Sequence, residues 1–208
     1  LLANKDEYKF NIITAPGLIQ SMHTSTLNTL ISNTENRGDN IAVLDLEGYG
    51  SSVSAITTTA NSLDTSYAAS YWPWCMTTDP DTGRQVWVPA SVMIPGVYAN
   101  NDKTAEAWFA PAGINRGGLG NVTQAERKLS QSNRDALYQN KVNPIATFPG
   151  RGVVVFGQKT LQQQASALDR VNVRRLLIAL KTYISGVSDN LVFEQNTTAT
   201  RNVFLSQV

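Results

Sequence analysis

The segment at residues 41–46 most constrains the fold, because it is almost entirely apolar and lies between two segments of helical periodicity. A run of this kind is typical of a strand that is buried on both faces of a parallel sheet. Upstream, residues 9–14 predict a short strand, Ala15-Pro16-Gly17 a turn, and residues 18–32 a helix. Downstream, residues 54–63 predict a weaker helix. The order strand, helix, strand, helix indicates an α/β arrangement.

The middle of the chain predicts a hairpin followed by irregular structure. Residues 67–76 and 85–88 have strand character and flank a loop rich in Asp, Thr, Pro and Gly. Residues 89–120 are interrupted by Pro and Gly, and only residues 102–108 predict a short helix there.

Beyond this region the spacing of Thr123 and Glu126 matches a capping box and predicts a helix over residues 123–138. Residues 145–148 and 152–156 predict two strands separated by Pro149-Gly150. The expected fold is therefore α/β with α+β tendencies: a mixed central sheet flanked by helices, with an inserted hairpin and irregular loops. We expect residues 1–208 to form one domain, with a division into 1–65 and 66–208 as the alternative.

The clearest predicted helix starts near Ser166, which is suited to cap its first turn. Its apolar residues fall on one side of the helical projection and predict a face packed on the core: Val173, Leu176, Leu177, Leu180, Tyr183, Ile184 and Val187. Arg170, Arg174 and Lys181 form a basic ridge beside that face, and Arg175 lies apart. Such a ridge is either a partner site or a solvated face with local ion pairs. We expect the helix to end at Gly186, with a strand at residues 190–194.

Composition excludes several classes of site. With 17 Lys and Arg against 16 Asp and Glu, the net charge of +1 argues against a nucleic-acid-binding arm. Cys75 and His23 are single residues of their types, which excludes an intrachain disulfide and metal sites or triads that need several Cys or His. The apolar runs are too short for a membrane-spanning helix. We expect no cofactor, metal, nucleic-acid partner or membrane partner, and we interpret both ends as those of an excised fragment.

An enzyme remains an alternative at the end of the 41–46 strand. Asp45 and Glu47 lie where open α/β sheets often place catalytic groups, and Gly48-Tyr49-Gly50 follows them as part of a dinucleotide-type turn. The third glycine of that motif is absent, and no histidine partner is near. We expect hydrogen bonds to neighbouring loops to be the commoner role of these carboxylates.

A second alternative is a carbohydrate-binding surface formed by aromatic residues near the hairpin: Tyr71, Trp72, Trp74 and Trp87. Aromatic side chains across a hairpin more often pack on the core. Gly152 and Gly157 have nearly the spacing of a phosphate-binding loop, but the residues between them have strand character.

Several separate strings resemble contractile tail sheath proteins of tailed bacteriophages, above all those of large myoviruses. The strings are SALDRVNVRRL at 166–176, WVPAS at 87–91, PGVYA at 95–99, WFAPAGINRG at 108–117, VNPI at 142–145, GQKT at 157–160 and FEQN at 193–196. Their number and order make the resemblance more specific than any single motif.

The resemblance implies a structural subunit and not an enzyme. Sheath proteins of this family form stacked hexameric rings around a tail tube and contract to drive that tube through the host envelope. It also implies baseplate and tail terminator partners, a place in the virion, and assembly in the host cytoplasm. Family members link neighbours through extended terminal arms. We expect these arms to be absent from residues 1–208, and we therefore expect this chain to be monomeric. We hypothesise that Arg170, Arg174, Arg175 and Lys181 contact the tube or adjacent subunits.

Overall fold

The structure is a computed structural model and describes residues 2–208, which contain two sheets and six α-helices. The strands are β1 Ile12–Ile19, β2 Ile41–Asp45, β3 Ala68–Trp72, β4 Cys75–Thr78, β5 Gln85–Val88, β6 Val122–Ala125, β7 Val142–Phe148 and β8 Gly152–Val155. The helices are α1 Thr24–Arg37, α2 Val53–Asn61, α3 Ala90–Thr104, α4 Gln131–Gln139, α5 Val171–Asp189 and α6 Thr198–Gln207. The predicted α/β class with a mixed sheet and an inserted hairpin is confirmed.

The central sheet has the strand order β1-β2-β3-β7-β8, in which the first four strands are parallel and β8 is antiparallel to β7. Side chains of β2 alternate between two cores. Ile41 and Val43 join the core that contains α3 and α5, whereas Ala42 and Leu44 join the core that contains α1, α2 and α4. Every residue of β2 is buried, as its apolar sequence predicts.

A smaller sheet, in the order β5-β4-β6, follows the carboxyl end of β3. The predicted hairpin is confirmed: β4 and β5 are antiparallel, and the Asp79 amide donates to the Arg84 carbonyl at 2.8 Å. The prediction of one strand over residues 67–76 is wrong, because the chain leaves the central sheet after Trp72 and resumes in the second sheet at Cys75. The predicted strands around Pro149-Gly150 correspond to β7 and β8.

The start of the first helix differs from the prediction. Residues 18 and 19 remain extended in β1, where Ile19 pairs with Asp45 of β2. The predicted turn at Ala15-Pro16-Gly17 is a register shift within that strand, and Gly17 supplies the left-handed φ of 89° that it requires. Helix α1 therefore begins at Thr24.

Helix α3 was not predicted, because Pro95 lies inside it and Pro89 precedes it. A proline has no backbone N–H, so Pro95 leaves the Ser91 carbonyl without its usual helical donor. In the fold, the Thr14 hydroxyl donates to that carbonyl at 3.4 Å. A tertiary hydrogen bond thus partly satisfies the Ser91 carbonyl, which has no donor within the helix. The short helix expected at residues 102–108 is instead the end of α3 and a loop.

The helix expected over residues 123–138 is divided into a strand and a shorter helix. Residues 122–125 form β6, in which Ala125 pairs with Cys75 of β4. Helix α4 starts only at Gln131, where the Ser130 hydroxyl accepts from the Asn133 amide at 3.2 Å. Pairing with β4 therefore outweighs the local capping signal.

At the end of the chain, Ser166 caps a short 3₁₀ turn at Ala167–Asp169, and α5 follows from Val171. Helix α5 continues past Gly186 to Asp189. The strand predicted at residues 190–194 is wrong, because the chain turns there and enters α6, which Thr197 caps. No helix within residues 2–208 is both long and apolar enough to cross a membrane.

Candidate interaction surfaces

The burial of helix α5 differs from the predicted pattern. Its buried residues are Val171, Arg174, Arg175 and Ile178. Leu177, Leu180 and Tyr183 of the predicted core face are exposed, at 41%, 44% and 56%. The helix therefore turns part of its basic ridge inwards and much of its apolar face outwards.

Arg174 is enclosed by residues of its own chain. Its guanidinium lies 3.9 Å from the ring centroid of Tyr67 and donates to the Ser66 hydroxyl. Burial lowers the pKa of Arg174, and contact with Tyr67 opposes that shift. These contacts attach α5 to the segment that leads into β3.

Arg175, the next residue of α5, attaches the helix to α3. It forms an ion pair with Asp102 at 2.5 Å, and its guanidinium lies 4.7 Å from the ring centroid of Tyr98. The Tyr98 and Tyr71 hydroxyls are 2.6 Å apart, and burial raises the pKa of Tyr98 to about 12. The hypothesis that Arg174 and Arg175 contact a partner therefore competes with well-defined internal roles.

Arg170 and Lys181, in contrast, reach the surface. Arg170 pairs with Asp169 at 3.1 Å and donates to the Tyr138 hydroxyl at 2.5 Å, while its side chain remains 40% exposed. Lys181 is exposed, and its ammonium lies close to Gly38. The four residues that the sequence grouped together thus occupy different environments.

Sequence reasoning missed a basic cluster around Tyr138. The Lys159 ammonium lies 4.6 Å from the centroid of that ring, and the Arg170 guanidinium lies 5.7 Å from it. The charge of Lys141 also acts on Lys159. These residues come from three separate segments of the chain, so the periodicity within one helix gives no signal for them.

The second candidate surface is apolar and lies on α5 and α6. No residue of α6 is buried, and Phe193 in the preceding turn is fully exposed. The Tyr183 hydroxyl donates to the Gln207 carbonyl at 3.0 Å and ties the two helices together. An open apolar groove of about 340 Å³ lies between α6 and the turn that precedes it, lined by Leu191, Thr200, Arg201, Phe204 and Leu205.

The carboxylates of the enzyme alternative are engaged in internal hydrogen bonds. Asp45 accepts from both the amide and the hydroxyl of Ser91, and burial raises its pKa to about 6. Glu47 accepts from Ser21 at 3.0 Å and from Thr59 at 2.5 Å. Asp45 therefore acts as a tertiary cap for the start of α3, and both carboxylates join the loops around them.

The aromatic residues near the hairpin do not form a flat platform. Trp72 is buried, whereas Trp74 and Trp87 are half-buried against Tyr49 at interplanar angles of 79° and 43°. The expectation that these aromatic residues pack on the core therefore holds fully for Tyr71 and Trp72 and only in part for Trp74 and Trp87. Within the described part of the chain, no three His, Cys, Asp or Glu side chains are placed to hold a metal ion.

Comparison with known proteins gives a consistent result. The family described as "Phage tail sheath protein central domain" matches residues 1–161. The tail sheath protein of Vibrio phage KVP40 is 40% identical over 153 residues, which are 74% of this chain and 22% of that protein. The tail sheath protein of Enterobacteria phage T4 is 40% identical over 121 residues, which are 58% of this chain and 18% of that protein. The chain thus spans about a fifth of the length of these curated relatives.

Solved structures share the fold at lower sequence identity. A baseplate structure of the anti-feeding prophage contains a chain that matches with a TM-score of 0.77 and 22% identity, over 97% of this chain and 52% of that one. The contracted sheath complex of an extracellular contractile injection system, PVC, matches with a TM-score of 0.76 and 24% identity, over 94% and 52% of the two chains.

Proposed function

This chain belongs to the phage tail sheath protein family, and we propose that it forms part of the structural subunit of a contractile phage tail sheath. The observation that carries the proposal is the family match over residues 1–161, combined with 40% identity to the sheath proteins of two phages. The complete subunit would polymerise with its own copies as stacked hexameric rings around a tail tube. Contraction would then drive the tube through the host envelope and allow genome delivery.

In this proposal the subunit works through its surfaces and not through a reactive site. The exposed apolar side chains of α5 and α6 support it, because apolar residues clustered on a surface are typical of protein–protein contacts. The enclosure of Asp45 by Ser91 is consistent with a non-enzymatic role. The proposed partners are other sheath subunits, the tail tube, the baseplate and the tail terminator. We propose that the tail is assembled in the host cytoplasm and that the protein is part of the virion.

For the interface with the tube or with neighbouring subunits, we propose the partly exposed Arg170 and the exposed Lys181 as the contacting residues. Arg174 and Arg175 would support them by holding α5 on the core. Charge reversal of Arg174 is therefore not a clean test of the interface, since it would bury a carboxylate beside Tyr67. Lys181→Glu is the better variant because the side chain is exposed.

Electron microscopy of the full-length protein, produced with its tail tube protein, tests the assignment. We expect helical tubes that surround the inner tube, and Lys181→Glu should reduce their number while Lys128→Glu, an exposed control, should not. Soluble full-length protein that never forms tubes with its tube protein would refute the proposed function.

A sheath of a bacteriocin-like or secretion-type injection system is the second candidate, favoured by the fold shared with the anti-feeding prophage and PVC chains. The higher identity to phage proteins supports the phage assignment. Mass spectrometry of purified particles separates the two: we expect the protein in infectious particles that contain DNA, and its presence only in particles without DNA would favour the alternative.

The oligomeric state of residues 1–208 remains a prediction. We propose a monomer of 22.6 kDa in dilute solution, which light scattering coupled to size-exclusion chromatography measures directly. A stable hexamer of this chain would contradict the prediction.

A further inference from the structure

Tyr138 is the centre of a local concentration of positive charge, formed with Lys141, Lys159 and Arg170 and called here the Tyr138 basic patch. Lys159 and Arg170 both lie within cation–π distance of the Tyr138 ring. All four side chains are half-buried, so the charges line a sheltered surface and do not extend freely into water.

The backbone holds these cations in place. Buried Asn143 accepts from the Lys159 amide at 2.5 Å and donates to the Lys159 carbonyl at 2.7 Å. Lys159 and Arg170 form an antiparallel β-bridge, and Lys141 occupies a left-handed turn with a φ of 66° between α4 and β7. The backbone around the three cations is thus fixed by the fold, even though like charges repel.

The chain does little to neutralise the patch. Asp169 pairs with Arg170, but among residues 2–208 neither Lys141 nor Lys159 has a carboxylate within 4.0 Å. Partial burial lowers the pKa of Lys159, and the charges of Lys141 and Arg170 lower it further, while Asp169 partly opposes them. A preorganised cluster with this unbalanced charge is suited to an anionic partner.

We infer that the Tyr138 basic patch docks a carboxylate-bearing segment of a neighbouring protein subunit. Lys159 and Arg170 at the Tyr138 ring, with the charge of Lys141 acting on Lys159, match two or three carboxylates on a peptide segment. Nucleic acid fits less well, because the net charge of +1 provides no extended positive field to follow a phosphate backbone. Asp169 within the patch also repels a dianionic phosphate more strongly than a single carboxylate.

The inference rests on the proposed function only for the identity of the neighbour, since Arg170 also belongs to the proposed subunit interface. The chemistry of the patch is testable without any assembly. The two ideas can therefore fail separately.

Binding of an octaglutamate peptide to the 208-residue chain, followed by amide NMR shifts at low salt, is the direct test. We expect shifts centred on residues 138–141, 159 and 170, with none for octaglutamine. The double variant Lys141→Gln/Lys159→Gln should weaken binding roughly fivefold or more, because two charge contacts are lost. The control Lys128→Gln/Arg151→Gln removes the same charge from exposed positions elsewhere and should change the affinity less than about twofold.

Three outcomes of this titration would overturn the inference. They are equal weakening by the two double variants, shifts spread evenly over all surface cations, and competition by inorganic phosphate or an oligonucleotide at lower concentration than the peptide. Thermal melting of each variant verifies that its fold is retained, and the single variant Lys141→Gln serves if the double variant is unstable.

A second measurement uses the full-length protein in its assembled form. A carbodiimide joins a lysine amine directly to a carboxylate in contact with it, so Lys141 or Lys159 should appear in intermolecular cross-linked peptides by mass spectrometry. Assembled tubes without such cross-links would refute the docking site but leave the proposed function intact. Peptide binding at the patch, with no assembly of the full-length protein, would support the patch and refute the function.

Discussion

Replacing Asn143 with alanine should destabilise the chain strongly, because this side chain joins three segments of backbone. Its amide donates to the Ser70 carbonyl at 3.0 Å and the Lys159 carbonyl at 2.7 Å, and its oxygen accepts from the Lys159 amide at 2.5 Å. Asn143 is fully buried, so water cannot replace these bonds in the native structure.

The size of the effect follows from these contacts. Each lost hydrogen bond costs about 0.5–1.5 kcal/mol net, which gives about 3 kcal/mol for three bonds. The cavity left by the alanine side chain cannot close easily, because the Gly157 backbone already packs tightly against this site. A Cβ added to Gly157 would lie 3.0 Å from the side-chain oxygen of Asn143 and 2.9 Å from the Pro144 ring. We therefore expect a loss of about 3–4 kcal/mol in the free energy of unfolding, or a melting temperature lower by about 10 °C for a chain of this size.

Urea denaturation followed by circular dichroism measures this loss, and Asn33→Ala is the matched control. Asn33 is exposed near the middle of α1, where alanine is the better helix former, so the control should be unchanged or slightly more stable. A loss below about 1 kcal/mol for Asn143→Ala would refute the reasoning. It would mean that the Lys159 backbone finds other partners when the side chain is removed.

Three further predictions concern stability. Burial raises the pKa of Asp45 from 3.8 to about 6, so its contribution to the free energy of unfolding falls by up to about 3 kcal/mol as the pH rises from about 4 to about 6. Asp45→Asn should remove this contribution and flatten the pH dependence of unfolding. Equal pH profiles of the two proteins in urea denaturation would contradict this prediction. Gly117→Ala should cost a few kcal/mol, because its Cβ would lie 2.6 Å from a backbone oxygen, whereas Gly118→Ala next to it meets no atom within 4 Å and should be tolerated on thermal melting. Tyr71→Phe should lower the free energy of unfolding by about 1–3 kcal/mol, because it leaves the buried Tyr98 hydroxyl without its partner. An equal loss for Tyr49→Phe, at an exposed position, in the same urea assay would refute that account.

Local signals predicted those elements whose tertiary role agrees with their sequence pattern. The β2 strand is buried on both faces, as its apolar sequence predicts. Gly38 ends α1 in the left-handed conformation, which is the usual role of a glycine directly after a helix. The β4–β5 hairpin likewise follows from its turn residues.

The errors occur where a contact between distant segments outweighs the local pattern. Pro95 by itself disfavours a helix, but in the fold the Thr14 hydroxyl supplies a donor for the Ser91 carbonyl and the helix forms. The capping-box spacing at Thr123 argues for a helix until β4 offers a strand partner. Neither partner is visible in the local sequence.

Helix α5 shows the same effect at the candidate site. Periodicity places its apolar residues on one side, and the usual inference is that this side faces the core. In the fold, Arg174 and Arg175 face inwards, since Tyr67, Tyr98 and Asp102 provide aromatic and charged contacts that make their burial tolerable. The Tyr138 basic patch was missed for the same reason, because its members come from separate segments.

The sequence by itself therefore determined the α/β class, the family and the presence of a cation-rich helix, since burial patterns and ordered motifs are properties of neighbouring residues. Only the tertiary structure decided which side of α5 is exposed and which cations share a surface. Those outcomes depend on side chains that are distant in the chain and adjacent in space, and their energies enter only when the chain has folded.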